Sequence, residues 1–232
     1  MCRMLGLKNF EYRRHKEILE YFLALAETGK VPRGDTPGHL DGWGIGYYRN
    51  GQAVVHKSGG SVVEEKRDFW ETCERIAHSK IIIVHLRKSS WPGTSKADHA
   101  HPFSLKNILF AHNGTVRDYK TLRREIPGPG RPRPDALDSE VYFHNVMNFA
   151  SLGLEKAFQK AVQHIKKSNR YSSLTSLFSD GNMLYGYRQY SKNPGYYSLY
   201  HALCGDAGVI SSQPVSPHLP WKMLRRGKLL VF

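Results

Sequence analysis

The sequence predicts a mixed α+β fold built on largely antiparallel sheets. Three observations lead there. Short β-branched and aromatic runs lie toward both ends of the chain. Helical apolar spacing dominates the middle, and turn residues sit close enough together to join neighbouring strands directly. The 232 residues are 40% hydrophobic and 12% aromatic, enough for a sizeable core and too apolar for a disordered basic chain.

The elements follow in order. Residues 16–27 place Ile18, Leu19, Phe22, Leu23 and Ala26 on one helical face, and Gly29 is a natural stop. A Gly/Pro-rich loop spans 32–38. Trp43, Ile45 and Tyr47 then alternate with glycines, and Asn50-Gly51 leads into Ala53-Val54-Val55, the pattern of a tight β-hairpin. Residues 64–78 read as a helix with Phe69, Cys73, Ile76 and Ala77 inward. Residues 80–87 and 107–112 read as buried strands, separated by a loop rich in Ser, Gly and His. The stretch 126–134, with four prolines and two arginines, reads as an exposed loop rather than a domain boundary. Two helices are expected at 138–149 and 154–167, and strands at 174–178, 183–187, 197–203, 207–212 and 228–232.

Composition also excludes. The longest strongly apolar run, residues 81–84, is far short of the roughly 20 residues of a membrane helix. No signal-peptide stretch follows Met1. Cys2, Cys73 and Cys204 are too few and too scattered for a disulfide framework or a CxxC metal clip. A cytoplasmic protein is expected. The +14 formal charge raises nucleic acid as a partner. The basic clusters at 13–16, 120–133 and 225–228 are dispersed, however, and no zinc-finger, RNP or helix-turn-helix pattern accompanies them.

Candidate chemistry begins at Cys2. Removal of Met1 would leave a residue carrying both a thiol and a free α-amine. The amine, with a reference pKa of about 7.7–8.0, can serve as general base to the thiol nucleophile. A small buried residue in a first strand is the alternative. His85, His99, His101 and His112 flank the two central strands, but no HxxxH helix spacing is present and no metal is expected. Arg87 ends a strand and can offer its planar fork to a carboxylate. Asn113-Gly114 follows another strand and can offer two adjacent N–H donors, as an oxyanion hole needs, or simply make a turn. Asp138 opens a helix as an N-cap candidate.

Read together, Met1-Cys2-Arg3-Met4-Leu5-Gly6, Asp41-Gly42-Trp43-Gly44-Ile45-Gly46, His85-Leu86-Arg87, His101-Pro102-Phe103, Ala111-His112-Asn113-Gly114 and Asp138-Ser139-Glu140 resemble a class II glutamine amidotransferase domain, an N-terminal-nucleophile (Ntn) hydrolase. Ser179-Asp180-Gly181 and the segment 209–214 resemble its closing strands. The resemblance spans the chain and implies one domain over 1–232, a four-layer αββα sandwich, and a mature chain starting at Cys2. It implies Cys2 as nucleophile, Asn113 and Gly114 as oxyanion hole, Arg87 on the glutamyl α-carboxylate and Asp138 on its α-ammonium, with no cofactor.

One departure stands out. Lys88-Ser89-Ser90 follows the strand arginine where synthase-linked members carry a longer motif with threonine and tryptophan. That resembles the short, stand-alone subgroup, which includes the γ-glutamyl hydrolase of ergothioneine synthesis and the amidotransferase-like subunit of the yeast glutathione-degradation complex. The sequence ends at Phe232, so no synthase domain is expected in the same chain. The expected substrate is glutamine or a γ-glutamyl amide, with ammonia released or passed to a partner subunit. A basic nucleic-acid-binding protein without catalytic role is the alternative function.

Overall fold

A computed structural model describes residues 2–232; Met1, and with it the expected processing step, lies outside the described residues. The fold is mixed α/β, with two antiparallel sheets between helical layers. β1 (Arg3–Glu11) runs near the middle of a seven-stranded sheet. On one side it pairs with β4 (His78–Leu86), which in turn pairs with β2 (Trp43–Arg49) and, through it, β3 (Gln52–Ser58). On the other side lie β10 (Ala207–Ser211), β9 (Tyr200–Cys204) and β11 (Lys222–Met223). The second sheet contains β5 (Phe103–Leu105), β6 (Ile108–Asn113), β7 (Thr175–Ser179), β8 (Leu184–Tyr187) and β12 (Leu229–Val231).

Period-two alternation sorts the apolar residues into three cores. Leu5, Leu7, Ile82, Val84 and Ile45 face α1 (Tyr12–Thr28) and α2 (Lys66–Ile76). Met4, Ile81, Ile83 and Ile210 face the opposite way, onto Leu109, Ala111, Leu177 and Leu184 of the second sheet. The outer face of that sheet, with Phe110, Phe178 and Tyr187, packs on α3 (Tyr119–Glu125), α4 (Asp138–Met147) and α5 (Leu154–Ser168). Burial on both faces explains the uninterrupted apolar run of β4, which carries no alternation to read.

The observed elements differ from the expected ones where side chains cap or redirect the backbone. Helix α1 starts at Tyr12, not 16. His15 Nδ1 accepts the Glu11 N–H at 3.0 Å and closes its first turn. Helix α2 stops at Ile76. Ala77, expected inward, is exposed with φ 55°, and its carbonyl accepts the Tyr12 N–H at 2.7 Å. His78 then enters β4 opposite Glu11. β5, β11 and α3 escape sequence reading because each is short, and α3 buries only Leu122. The 126–134 loop is exposed except at Ile126 and Pro132.

Asn50 (φ 51°) and Gly51 (φ 75°) form the expected hairpin turn between β2 and β3. Asn107 in the β5–β6 turn reaches this hairpin: its Oδ1 accepts the Ala53 N–H at 2.5 Å and its Nδ2 donates to Gly51 O at 2.8 Å. Gly44 of β2 is required by close approach. A Cβ there would lie 2.4 Å from the backbone oxygen of His101. Gly44→Ala should therefore lower stability by about 1–3 kcal/mol, the usual cost of overpacking. Urea unfolding checks this; an unchanged midpoint would mean that the His101 segment yields freely.

Candidate active site

Strand pairing brings the sequence-predicted residues to one end of the sandwich. Cys2 directly precedes β1 and Arg87 directly follows β4. The register Arg3↔Leu86 sets them at the same edge. β6, from the other sheet, ends there at Asn113, with Gly114 next. Asp138 is the first residue of α4. Cys2, Arg87, Gly114 and Asp138 line one cleft together with Trp91, His99, His101 and His112. Its free space is about 30 Å³, room for only a few waters at roughly 10–15 Å³ each.

Cys2 is buried. Its backbone N–H donates to Asn113 Oδ1 at 3.1 Å, and its Sγ lies 3.7 Å from Lys88 O. The Asn113 Nδ2 is buried with no hydrogen-bond partner. Gly114 allows the chain to pass close to Ser173, since a Cβ would lie 2.1 Å from its carbonyl oxygen. His112 supports this corner. Its Nε2 lies 2.9 Å from Ser173 O and must carry the proton, because a carbonyl only accepts; its Nδ1 then accepts from the Ser139 hydroxyl at 2.9 Å. Burial pulls its pKa down to about 4, so the ring is neutral.

Arg87 and Asp138 are both buried in the cleft wall, and both are occupied. Arg87 Nη1 donates to Asp41 O (3.1 Å) and Thr94 O (2.9 Å); Nη2 donates to Ser89 Oγ (3.0 Å) and Thr94 Oγ1 (2.9 Å). Asp138 is not an N-cap. Leu137 holds that position without a side-chain bond. Its carboxylate instead accepts the Val116 N–H at 2.9 Å and the Trp91 indole N–H at 2.8 Å. Burial pushes the Asp138 carboxyl up to about 6.

Sequence reading missed the residues that close this cleft. Trp91 and Thr94 lie beyond Lys88-Ser89-Ser90 in the loop 88–96 and cover the two charged groups. Trp91 also packs edge-on against Tyr119 at 5.4 Å. A large aromatic in an otherwise polar loop is the signal that could have found it. Arg3 was quoted only as part of a motif. It is fully buried, donates to His39 Nε2 (3.1 Å) and Lys30 O (2.9 Å), and lies over the Tyr196 ring. Burial and the neighbouring Arg3 cation hold His39 down at about 3, so it accepts as a neutral ring.

The remaining histidines separate. His99 sits in a single 3-10 turn, Ala97–His99. His85 of β4 and His101 pack ring to ring with centroids 4.2 Å apart. Burial holds both well below the ordinary histidine range.

Comparison with known proteins identifies the family and the fold. Residues 1–200 match the profile of the family described as glutamine amidotransferases class-II. An uncharacterised protein of Methanocaldococcus jannaschii is 27% identical over 84% of this chain and 61% of its own length. The glutamine–fructose-6-phosphate aminotransferase of Chlorobaculum tepidum is 30% identical over 50% of this chain and 20% of its own length. The chain thus spans about three fifths of the first relative and a fifth of the second. Among solved structures, a glutamine aminotransferase class-II domain protein from Silicibacter pomeroyi superposes with TM-score 0.70 at 18% identity, covering 99% of this chain and 94% of that one. The glutamine phosphoribosylpyrophosphate amidotransferase of Bacillus subtilis gives TM-score 0.72 at 17% identity, covering 99% of this chain and 47% of that one. At these identities the structural likeness is one of fold, two antiparallel sheets between helical layers. With the profile matching most of its length, the chain belongs to the class II glutamine amidotransferases, a family of enzymes.

Proposed function

We propose that this protein hydrolyses the γ-amide of glutamine or of a γ-glutamyl compound, with Cys2 as nucleophile once Met1 is removed. One observation carries the reading: Asn113 uses its oxygen on the Cys2 nitrogen and leaves its buried Nδ2 unpartnered. An unmade buried hydrogen bond costs about 1–3 kcal/mol, so such a donor is tolerated where a reaction uses it. An oxyanion forming on a carbonyl beside Cys2 is the acceptor that fits.

The chemistry then runs in two halves. The freed α-amine of Cys2 takes the thiol proton, and the thiolate attacks the amide carbon. Asn113 Nδ2 and the Gly114 N–H hold the resulting oxyanion. The leaving amine takes the proton and departs, leaving a thioester. Water, deprotonated by the same α-amine, releases glutamate and restores the thiol. Arg87 and Asp138 read the α-carboxylate and α-ammonium of the glutamyl group. Both are now covered by Ser89, Trp91 and Thr94, and the cleft is too small for a glutamyl group. Substrate entry in this reading therefore requires the loop 88–96 to shift and hand its hydrogen bonds to the ligand.

A second cleft, of about 240 Å³, meets the first at Ser90 and Trp91 and carries Asp35, Arg117 and Lys192. Space and charge on the far side of Trp91 favour a leaving group larger than ammonia, hence a γ-glutamyl amide. A single domain over 1–232 that releases or passes on the amine fits the same reading. The basic surface gives little support to nucleic-acid binding. Arg14 is bound to Asp206 and Cys204 O, and Arg133 to Asp98 and Glu140.

Outcomes at three residues, Cys2, Asn113 and Asp138, test the proposal. Purified protein should lack Met1 by intact mass, and a glutamine-like diazo-ketone should label Cys2 alone. Burial pushes the Cys73 thiol up to about 12 and leaves it inert. Glutamate release should vanish in Cys2→Ala, and robust turnover there would end the mechanism. Asn113→Ala should lower kcat by about 10²–10³-fold with a much smaller change in KM; steady-state kinetics decide. The third outcome concerns pH. The Asp138 carboxyl, raised to about 6, is ionised above that pH and neutral below it. Affinity for the substrate ammonium should therefore be full above pH 6 and fall as pH drops through 6. In Asp138→Asn the KM should sit near the parent's acid-pH value at every pH, so that it is raised above pH 6 and the acidic limb is gone. An unchanged limb would assign it to another group.

A further inference from the structure

His85 and His101 take no part in the chemistry above, yet they sit beside Cys2. His85 lies in β4 between Met4 and Gly44, on the inter-sheet face, and His101 comes from the segment ahead of β5. Both rings are buried; neither ring nitrogen of His101 has a hydrogen-bond partner, and the His85 ring has none beyond the His112 backbone. Two buried rings in contact with so few partners need a reason. The Cys2 sulfur completes the group: it and one nitrogen of each ring lie within 4.8 Å of one another.

We propose that Cys2, His85 and His101 form a binding site for a thiophilic divalent transition metal, zinc foremost, which reversibly blocks the nucleophile. One sulfur and two imidazole nitrogens are a zinc-type donor set, whereas magnesium and calcium require oxygen ligands. Tetrahedral zinc, with bonds of about 2.3 Å to sulfur and 2.0–2.1 Å to nitrogen, sets its donors roughly 3.3–3.6 Å apart. Closing from 4.8 Å needs side-chain movements of about an ångström. Binding replaces the thiol proton: the S–H bond breaks, the proton leaves to solvent, and the sulfur lone pair forms the S–metal bond. A water or the freed Cys2 amine fills the fourth position. The Arg87 guanidinium in the same cleft opposes the added charge and keeps the metal exchangeable. A metal-bound sulfur cannot attack an amide, so occupancy switches the site off. Only this inhibitory consequence rests on Cys2 being the nucleophile; the metal site stands on the donor geometry.

The test uses cobalt(II) as a spectroscopic probe on the full chain. One cobalt per chain should bind with a thiolate-to-cobalt charge-transfer band and tetrahedral d–d absorption, and zinc should displace it. Cys2→Ala should lose the charge-transfer band. His101→Asn should weaken cobalt binding at least tenfold. Zinc should protect Cys2 from iodoacetamide in the parent protein, a chelator should reverse this, and His101→Asn should lose the protection. Should His101→Asn fail to fold, proton NMR of the parent cobalt protein counts the coordinated imidazoles without a variant, and two are expected. A missing charge-transfer band, a band that survives Cys2→Ala, or fewer than two coordinated imidazoles would overturn the site. These readouts need no turnover. A metal-free protein that releases no glutamate, yet binds cobalt in this way once it is added, would keep the metal site and refute the proposed function.

Discussion

The antiparallel ladder between β1 and β4 is the constraint on which the site depends. Its register runs from Arg3↔Leu86 to Glu11↔His78. A slip of one residue would turn Met4 and Leu5 to the wrong cores and move Cys2 away from Arg87. Both strands are packed on two faces, so the slip would cost burial on each. Cys2 is held in place by some of the most deeply buried backbone in the molecule, although it lies at the start of the described chain.

The second sheet adds what the first cannot. β6 delivers Asn113 and Gly114 to the same end because Leu109 and Ala111 pack against Met4, Ile81 and Ile83 across the inter-sheet core. The hydroxyl of Tyr48 also donates to Ser179 O at 2.8 Å and ties the two sheets together away from the cleft. Cys2 therefore comes from one sheet and Asn113 from the other. The distance between them is set by the close-packed layer in between, which tolerates little change in thickness.

Much of this was legible in the sequence. The β2–β3 hairpin was visible because Asn50-Gly51 has a specific turn chemistry. α5 was visible because its apolar spacing is strict. The residues that meet in the cleft, Cys2, Arg87, Gly114 and Asp138, were legible as candidates from an ordered set of motifs, each weak alone. What could not be read has particular causes. The early start of α1 depends on one side chain, His15, bonding back to Glu11. Asp138 looked like a cap because Asp before an apolar run usually is one, but its partners, Trp91 and Val116, are 47 and 22 residues away. The His85–His101 contact joins residues with no helical spacing, through a strand and a loop that only the tertiary fold brings together.

Asn107 has a consequence for how the protein behaves among other copies of itself. Three of the four sheet edges, β5, β11 and β12, are only two or three residues long and offer little to an incoming strand. β3, at seven residues, is the one long edge, and exposed edges invite intermolecular strand addition. By occupying the Ala53 N–H and the Gly51 carbonyl, Asn107 fills the start of that edge with a side chain. The long edge is thus blunted against aggregation by a residue that belongs to the opposite sheet's turn.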